Sequence, residues 1–211
     1  MAQQLLQDRS PAAYAGVEAF ARAHNTEDAG SLAWLVAGYA HILDRDYAKA
    51  IDPLNRAKVH AGDLGDYVAY YLGTSYLQTG RVPEALANLN DFSQAHPDSL
   101  LVRDAAISQA AALIQENQAE QAVALLGPLR TPVRSDLELA LGRAYAAAGQ
   151  PAKAAEILAN IYYTMPTSAD ADPANAALKN LAGVPPPTPA QLKARADALM
   201  AHHRYPDAAD A

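Results

Sequence analysis

The chain has 211 residues, of which 51% are hydrophobic and only 7% aromatic, and it contains no cysteine. This composition excludes global disorder, disulfides, thiolate metal sites and cysteine nucleophiles. A formal charge of −7, with the 16 Lys and Arg residues scattered along the chain, argues against nucleic-acid binding. No apolar run is long enough for a transmembrane helix, and the N-terminus lacks the features of a signal peptide. Abundant alanine, the best intrinsic helix former, predicts an all-helical protein.

The first predicted element is one helix from Pro11 to His24. Within it, Gly16, Phe20 and Ala23 have the spacing of the second helix of a helix pair. Residues 1–30 are therefore predicted to form an N-terminal helix that belongs to a partial leading repeat.

From residue 31 onward a pattern of small and apolar residues recurs. The equivalent alanines of successive copies are Ala50, Ala85, Ala122 and Ala154, with spacings of 35, 37 and 32 residues. This pattern resembles the tetratricopeptide repeat, a helix–turn–helix unit with a period of about 34 residues. Residues 31–169 are predicted to contain four such repeats.

Each recurring residue has a packing reason. Small residues on the first helix of a pair allow close contact with the alanine of the second helix; they are Gly38, Gly73, Ala110 and Gly142. Gly80 and Gly149 suit the tight turn inside a pair. Pro97 and Pro166 stand where a second helix is expected to stop. The predicted fold is therefore all-α, with antiparallel helix pairs stacked into a right-handed superhelix, an α-solenoid.

The period breaks after the fourth copy. Residues 170–188 are predicted to hold a short helix, Ala171 to Leu181, followed by the extended and stiff segment GVPPPTP. This proline run is read as a rigid spacer, with a ligand for a partner as the alternative. Residues 189–211 are predicted to begin a further repeat, truncated at Ala211, in which His203 takes the place of Arg45 and Pro206 opens a second helix.

The chain shows no catalytic signature. HExxH, GxSxG and glycine-rich phosphate loops are absent, and neither a metal site nor a cofactor is expected. The six histidines are scattered, and adjacent His202 and His203 do not face one site on a helix. The glutamates, Glu138 among them, are predicted to lie mostly at solvent positions. The chain is therefore predicted to be no enzyme.

The first helices of such repeats line an inner groove, and the sequence places polar and aromatic residues there. The predicted groove residues are Tyr39, Tyr67, Tyr70, Thr74 and Arg143, with Arg103 as a weaker candidate. Tyrosine combines an apolar ring with a polar hydroxyl, which suits an extended peptide or a sugar ring. The alternative is that tyrosines such as Tyr70 and Tyr71 only fill space between repeats.

Past residue 150 the chain has a YYxxP-S-x-A segment, a proline-bearing linker and an RAxALxxxxRYxxA segment. Their residues are Tyr162, Tyr163, Pro166, Ser168, Ala171, Arg195, Ala196, Leu199, Arg204, Tyr205 and Ala208. In these segments the chain resembles the helical region of soluble lytic murein transglycosylases, and the earlier stretch GDYVAYYLGTSYLQTG looks like that family's helical repeats, so the resemblance covers most of the chain. The resemblance implies a periplasmic, peptidoglycan-directed protein whose glycan-cleaving domain is separate. Neither the E-S motif nor the GLMQ-like segment of that domain occurs in these 211 residues.

Two functions follow as expectations. The first is a non-catalytic scaffold from such a transglycosylase, which positions murein or partner proteins in the periplasm. The alternative is a free-standing tetratricopeptide adaptor that binds an extended peptide in cell-envelope assembly or in the cytosol. Both predict a protein or peptide partner, the first also peptidoglycan, and neither predicts nucleic acid or a transmembrane segment.

Overall fold

The structure, a computed structural model, describes residues 2–209; Met1, Asp210 and Ala211 lie outside this range. All regular structure in the described range is helical, without any β-strand, so the predicted all-α class is confirmed. The chain forms two compact units, and their boundary, between Ala112 and Leu113, falls inside a helix. The handedness of a superhelix and the partition into four repeats over 31–169 stay predictions, and the predicted truncation at Ala211 lies outside the described residues.

From the first helix to the sixth, successive helices of the first unit pack against each other as neighbours. The helices are α1 (Ala2–Asp8), α2 (Pro11–Ala23), α3 (Asp28–Leu43), α4 (Tyr47–Ala57), α5 (Gly65–Gln78), α6 (Val82–Leu89), α7 (Phe92–Ala95) and the first part of α8 (Val102–Gln115). Two 3₁₀ turns, Lys58–His60 and Gly62–Leu64, connect α4 to α5.

The second unit continues the series of helices. After the end of α8 its helices are α9 (Ala119–Leu126), α10 (Ser135–Ala147), α11 (Pro151–Thr164), α12 (Ala171–Lys179), α13 (Pro189–Ala201) and α14 (Tyr205–Ala209). Helix α9 packs on α10, α10 on α11, and α11 on both α12 and α13. A 3₁₀ turn, Gly127–Leu129, follows α9.

One turn recurs between the two helices of a pair. A residue with positive φ ends the first helix, and the next residue donates its backbone N–H to a carbonyl five positions earlier, at 2.8–2.9 Å. This is the Schellman motif, which satisfies carbonyls left free at a helix end. The residues with positive φ are Arg45, Gly80, Asn117, Gly149 and His203, so His203 does occupy the position of Arg45.

The helices of a pair approach closely at the predicted glycines. A Cβ added to Gly73 would lie 2.5 Å from Leu89 Cγ, and one added to Gly38 would lie 2.5 Å from Leu54 Cγ. Gly142 is nearly as tight, with Leu158 Cδ2 at 2.8 Å. In each pair the fully buried leucine four residues after the repeat alanine fills the space above the glycine.

The leading segment has one helix more than predicted. Besides α2, which ends at Ala23 with His24 as its C-cap, the short helix α1 packs against α2 and α3. Leu5 is the buried anchor of α1. Arg9, at the end of α1, forms an ion pair with Asp44 at 2.6 Å, and the hydroxyl of Tyr14 donates to the same carboxylate.

Trp34 lies in the middle of α3 and is only 4% exposed. Two guanidinium groups lie over its ring, Arg56 on α4 at 5.0 Å from the centroid and Arg22 on α2 at 5.8 Å. These cation–π contacts join three helices around one indole.

The second helix after Gly80 was expected to run on to Pro97, and this prediction is wrong. Helix α6 ends at Leu89, because Asn90 leaves the helical region and Asp91 has a φ of +59°. Short polar side chains favour such breaks, since they compete with the helix for backbone hydrogen bonds. The four-residue helix α7 then buries Phe92.

Glu138, predicted at a solvent position, is 2% exposed and faces the interior of the second unit. It accepts two hydrogen bonds, both 2.7 Å long, from the guanidinium of Arg130 in the segment before α10. The pair attaches this segment to the first turn of α10. The predicted solvent position was wrong because the partner that makes burial tolerable comes from outside the helix.

The proline-rich segment and the last helices complete the second unit. The predicted helix from Ala171 is present and ends at Lys179. Residues 184–188 have no regular secondary structure. Thr188 then starts α13 with a capping box that Gln191 completes, and Pro189 occupies the first turn.

Candidate functional site

Four tyrosines form a cluster across two neighbouring first helices. Tyr71 on α5 lies at the centre, with ring centroids of Tyr39 at 5.0 Å, Tyr70 at 5.3 Å and Tyr67 at 6.2 Å. Tyr39 is on α3 and therefore joins this helix to α5. The structure thus brings together three predicted groove residues, and we call the surface of Tyr39, Tyr67, Tyr70 and Tyr71 the tyrosine face.

Tyr71 is the member that sequence reasoning left out of the site. Burial raises the pKa of Tyr71 to about 12, with smaller contributions from its tyrosine neighbours. Its phenol stays neutral at physiological pH and keeps its proton for a hydrogen bond. Helical spacing alone could not identify Tyr71, since it is adjacent to Tyr70 and either residue could have faced the core.

A second feature adjoins the tyrosine face. Leu32, Val36, Tyr39 and Leu43 follow one another on α3 at intervals that put them on one side of the helix. Leu32 is 49% exposed and Leu43 is 44% exposed, while Val36 and Tyr39 are partly buried. We call these four residues the α3 stripe; it shares Tyr39 with the tyrosine face.

The α3 stripe belongs to an unusual helix. Between Ala29 and Leu43 the sequence has no Lys, Arg, Asp or Glu, and His41 is its only titratable group apart from Tyr39. A helix that is apolar on all sides is normally buried on all sides. Here one side remains accessible, which is typical of an interaction surface.

Thr74 lies on the same side of α5, one turn beyond Tyr70 and Tyr71. Its residue is partly exposed, but its hydroxyl oxygen is buried and has no hydrogen-bond partner within residues 2–209. Because this oxygen is buried, Thr74 offers no hydroxyl to a ligand at the surface.

The two arginines considered for the groove are placed differently. Arg103 is on α8 and partly buried, whereas Arg143 is exposed on α10 in the second unit. The tyrosine face belongs entirely to the first unit, so Arg143 is not part of the cluster described above.

Residues that carried the resemblance to lytic transglycosylases have packing roles in the second unit. Arg195 on α13 donates to the carbonyl oxygen of Tyr162 at 2.7 Å, and its guanidinium lies 3.9 Å from the centroid of the Tyr162 ring. Tyr163 and Leu199 are buried. These contacts join α11 to α13.

Residues 2–209 contain no group of three or more His, Asp or Glu side chains that could hold a metal ion. Within the same range, no helix is both long and apolar enough to cross a membrane.

Comparison with known proteins gives one family match. A family model described as tetratricopeptide repeat matches residues 67–99, a range that includes α5 from Tyr67 onward, all of α6 and α7, and three of the four clustered tyrosines. Comparison with curated proteins gives no match. Arrays of repeats of this class present extended surfaces to their binding partners.

Proposed function

We propose that the chain is a non-catalytic interaction scaffold whose first unit binds an extended segment of a protein partner. The segment lies along the tyrosine face and the α3 stripe. The exposed α3 stripe, continuous with the clustered tyrosines through Tyr39, is the observation that carries this proposal.

The chemistry of the surface supports a protein ligand. Tyrosine rings contribute large contact areas with few rotatable bonds, and their hydroxyls bond to peptide groups. The exposed leucines at both ends of the α3 stripe offer apolar contacts to side chains of the same segment. The tyrosine face and the α3 stripe include no Lys or Arg, so this surface suits backbone and apolar groups better than a carboxylate terminus.

The proposal can be tested without knowing the partner. A phage library of random 12-residue peptides is selected on the purified chain, and enriched peptides are measured by fluorescence anisotropy. Tyr39→Ala and Leu43→Ser are expected to weaken binding about ten-fold or more, the effect of losing a central interface side chain. Val59→Ser is the matched control, because Val59 is 70% exposed but lies in the 3₁₀ turn after α4.

Two results would contradict the proposal. Either the selection enriches no peptide, or Tyr39→Ala and Leu43→Ser bind every enriched peptide as tightly as the unchanged chain. In all cases circular dichroism must show that the variants keep their helical content.

A second candidate is a scaffold that positions murein strands in the periplasm. This candidate rests on the transglycosylase resemblance, two of whose residues, Tyr162 and Arg195, meet at the junction of α11 and α13. Sugar rings have apolar faces that stack on tyrosine. Under this candidate the chain cosediments with purified sacculi, and Tyr70→Ala and Arg143→Ala reduce the bound fraction. Cosedimentation that both variants leave unchanged would argue against it.

A further inference from the structure

A small pocket lies at the N-terminal ends of α3 and α5, one helical turn before the tyrosine face. It has a volume of about 260 Å³, and its apolar lining includes Leu32, Leu35 and Val68. Leu32 also belongs to the α3 stripe, and Leu35 precedes Tyr39 by one turn. At this volume the pocket is below the size of sites for drug-sized ligands, about 300–1,000 Å³, and suits a single side chain.

The polar groups of this pocket are acidic or neutral. Asp28 and Asp63 both line it, both are exposed, and neither has a hydrogen bond or ion pair with another side chain within residues 2–209. No lysine or arginine lines the pocket; His60 is its one basic residue. The surrounding unit is acidic as well, since residues 1–112 contain 13 Asp and Glu against 8 Lys and Arg, a formal charge of −5.

Ser31 adds an independent observation. The residue is 4% exposed and lines the pocket, yet its hydroxyl has no hydrogen bond to any described residue. The hydroxyl oxygen itself keeps some accessible surface, so this unpaired group is open to a partner that enters the pocket. A polar group of a ligand in the pocket would supply the missing partner.

The combination selects one class of ligand group. An anion is disfavoured by the two carboxylates, and an uncharged apolar group would cover them without offering a partner. Lysine and arginine side chains have an apolar stem and a charged tip, so they can lie along apolar walls while the tip reaches acceptors at the rim. Charge-assisted hydrogen bonds to carboxylates are stronger than neutral ones.

We propose that this pocket receives a lysine or arginine side chain of the partner segment. Asp28 and Asp63 bind its charge, and Ser31 accepts a further hydrogen bond. The inference rests on the proposed function, because the same segment lies on the tyrosine face. Asp28 also starts α3, where a carboxylate is favourable without any ligand, so Asp63 is the more informative of the two carboxylates.

The test compares two selections with the peptide library. One uses the unchanged chain and the other uses Asp28→Asn/Asp63→Asn. The control is Asp52→Asn/Asp98→Asn, which removes the same charge at exposed positions that do not line the pocket. Peptides enriched on the unchanged chain and on the control are expected to carry Lys or Arg at a fixed distance from apolar residues. With Asp28→Asn/Asp63→Asn this preference disappears, while the apolar preference remains.

A binding cycle completes the experiment. In one enriched peptide the basic residue is replaced by norleucine, and affinities are measured by anisotropy. The replacement is expected to weaken binding to the unchanged chain about ten-fold or more, because charge-assisted hydrogen bonds are lost. The same replacement is expected to change the affinity for Asp28→Asn/Asp63→Asn little. The pocket proposal fails if peptides bind through Tyr39 but have no basic preference, or have the same preference on both chains. If no peptide depends on Tyr39, the proposed function itself fails.

Discussion

The contact between Gly73 and Leu89 sets the distance between α5 and α6, and its strength can be measured by adding one methyl group. Gly73 is inside α5, where replacing glycine by alanine ordinarily stabilises a helix by about 1 kcal/mol. In this structure the new Cβ would lie 2.5 Å from Leu89 Cγ, 2.7 Å from Cδ2 and 3.0 Å from Cδ1. Carbon atoms in favourable contact are about 3.5–4.0 Å apart, so the overlap reaches about 1 Å or more.

The side chain of Leu89 cannot move away freely, because it is fully buried. Its branch point, rather than a mobile end, is the nearest atom. Overpacking of this kind costs typically about 1–3 kcal/mol. After subtraction of the gain in helix propensity, Gly73→Ala is expected to lower the free energy of unfolding by about 0–2 kcal/mol, whereas the same substitution without overpacking would raise it.

Urea unfolding followed by far-UV circular dichroism measures this effect. Gly65→Ala is the control in the same helix, since its new Cβ would meet only His96 Cε1 at an ordinary 3.5 Å. Gly73→Ala/Leu89→Ala should be destabilised by less than the two single changes together, because the new methyl group then fills part of the cavity. The packing argument is wrong if Gly73→Ala is as stable as Gly65→Ala or more stable than the unchanged chain.

Three further predictions concern other contacts. Arg45→Gly is expected to raise the free energy of unfolding by about 0.5–1 kcal/mol, because arginine is strained at a φ of +59°; an unchanged or lower urea midpoint would contradict this. Arg130→Met leaves the buried carboxylate of Glu138 without its partner, so the free energy of unfolding is expected to fall by about 3 kcal/mol. The double variant Arg130→Met/Glu138→Leu should regain most of this stability. A loss under about 1 kcal/mol in Arg130→Met would count against the argument. Burial against Tyr14 lowers the pKa of His41, so the stability that neutral His41 contributes is complete above the ordinary pKa of about 6.5 and is lost as the pH falls below it. The free energy of unfolding of His41→Phe should therefore change less between about pH 7 and 5 than that of the unchanged chain. The same pH dependence in both proteins would refute this.

The spacing of small residues predicted which helices pair and where they touch. Gly38, Gly73 and Gly142 were expected to permit close contact with a second helix, and each does so. The pattern did not show whether the repeat alanine or the leucine four residues after it contacts the glycine, since both lie on the same side of the second helix. The turn at His203 was also predictable, because the repeat copy that contains His203 aligned with the copy that contains Arg45.

Other features depend on contacts that no local pattern contains. Helix α1 has one buried residue, Leu5, so its sequence shows no apolar periodicity. The break after Leu89 depends on two polar residues that also occur within helices. Glu138 is buried only because Arg130 reaches it from outside α10. The grouping of tyrosines around Tyr71 arises from the packing of α3 on α5, which sequence spacing within one helix cannot describe.

Trp34 makes the first unit optically distinct from the second. It is the single tryptophan of the chain, and it is enclosed by Arg22 and Arg56 in a site where three helices of the first unit meet. Its emission therefore reports the loss of packing in that unit alone, whereas circular dichroism sums the helices of both. Unfolding curves from the two signals coincide only if both units unfold in one cooperative step. The chain thus carries a built-in means to measure how far cooperativity extends along its stacked helices.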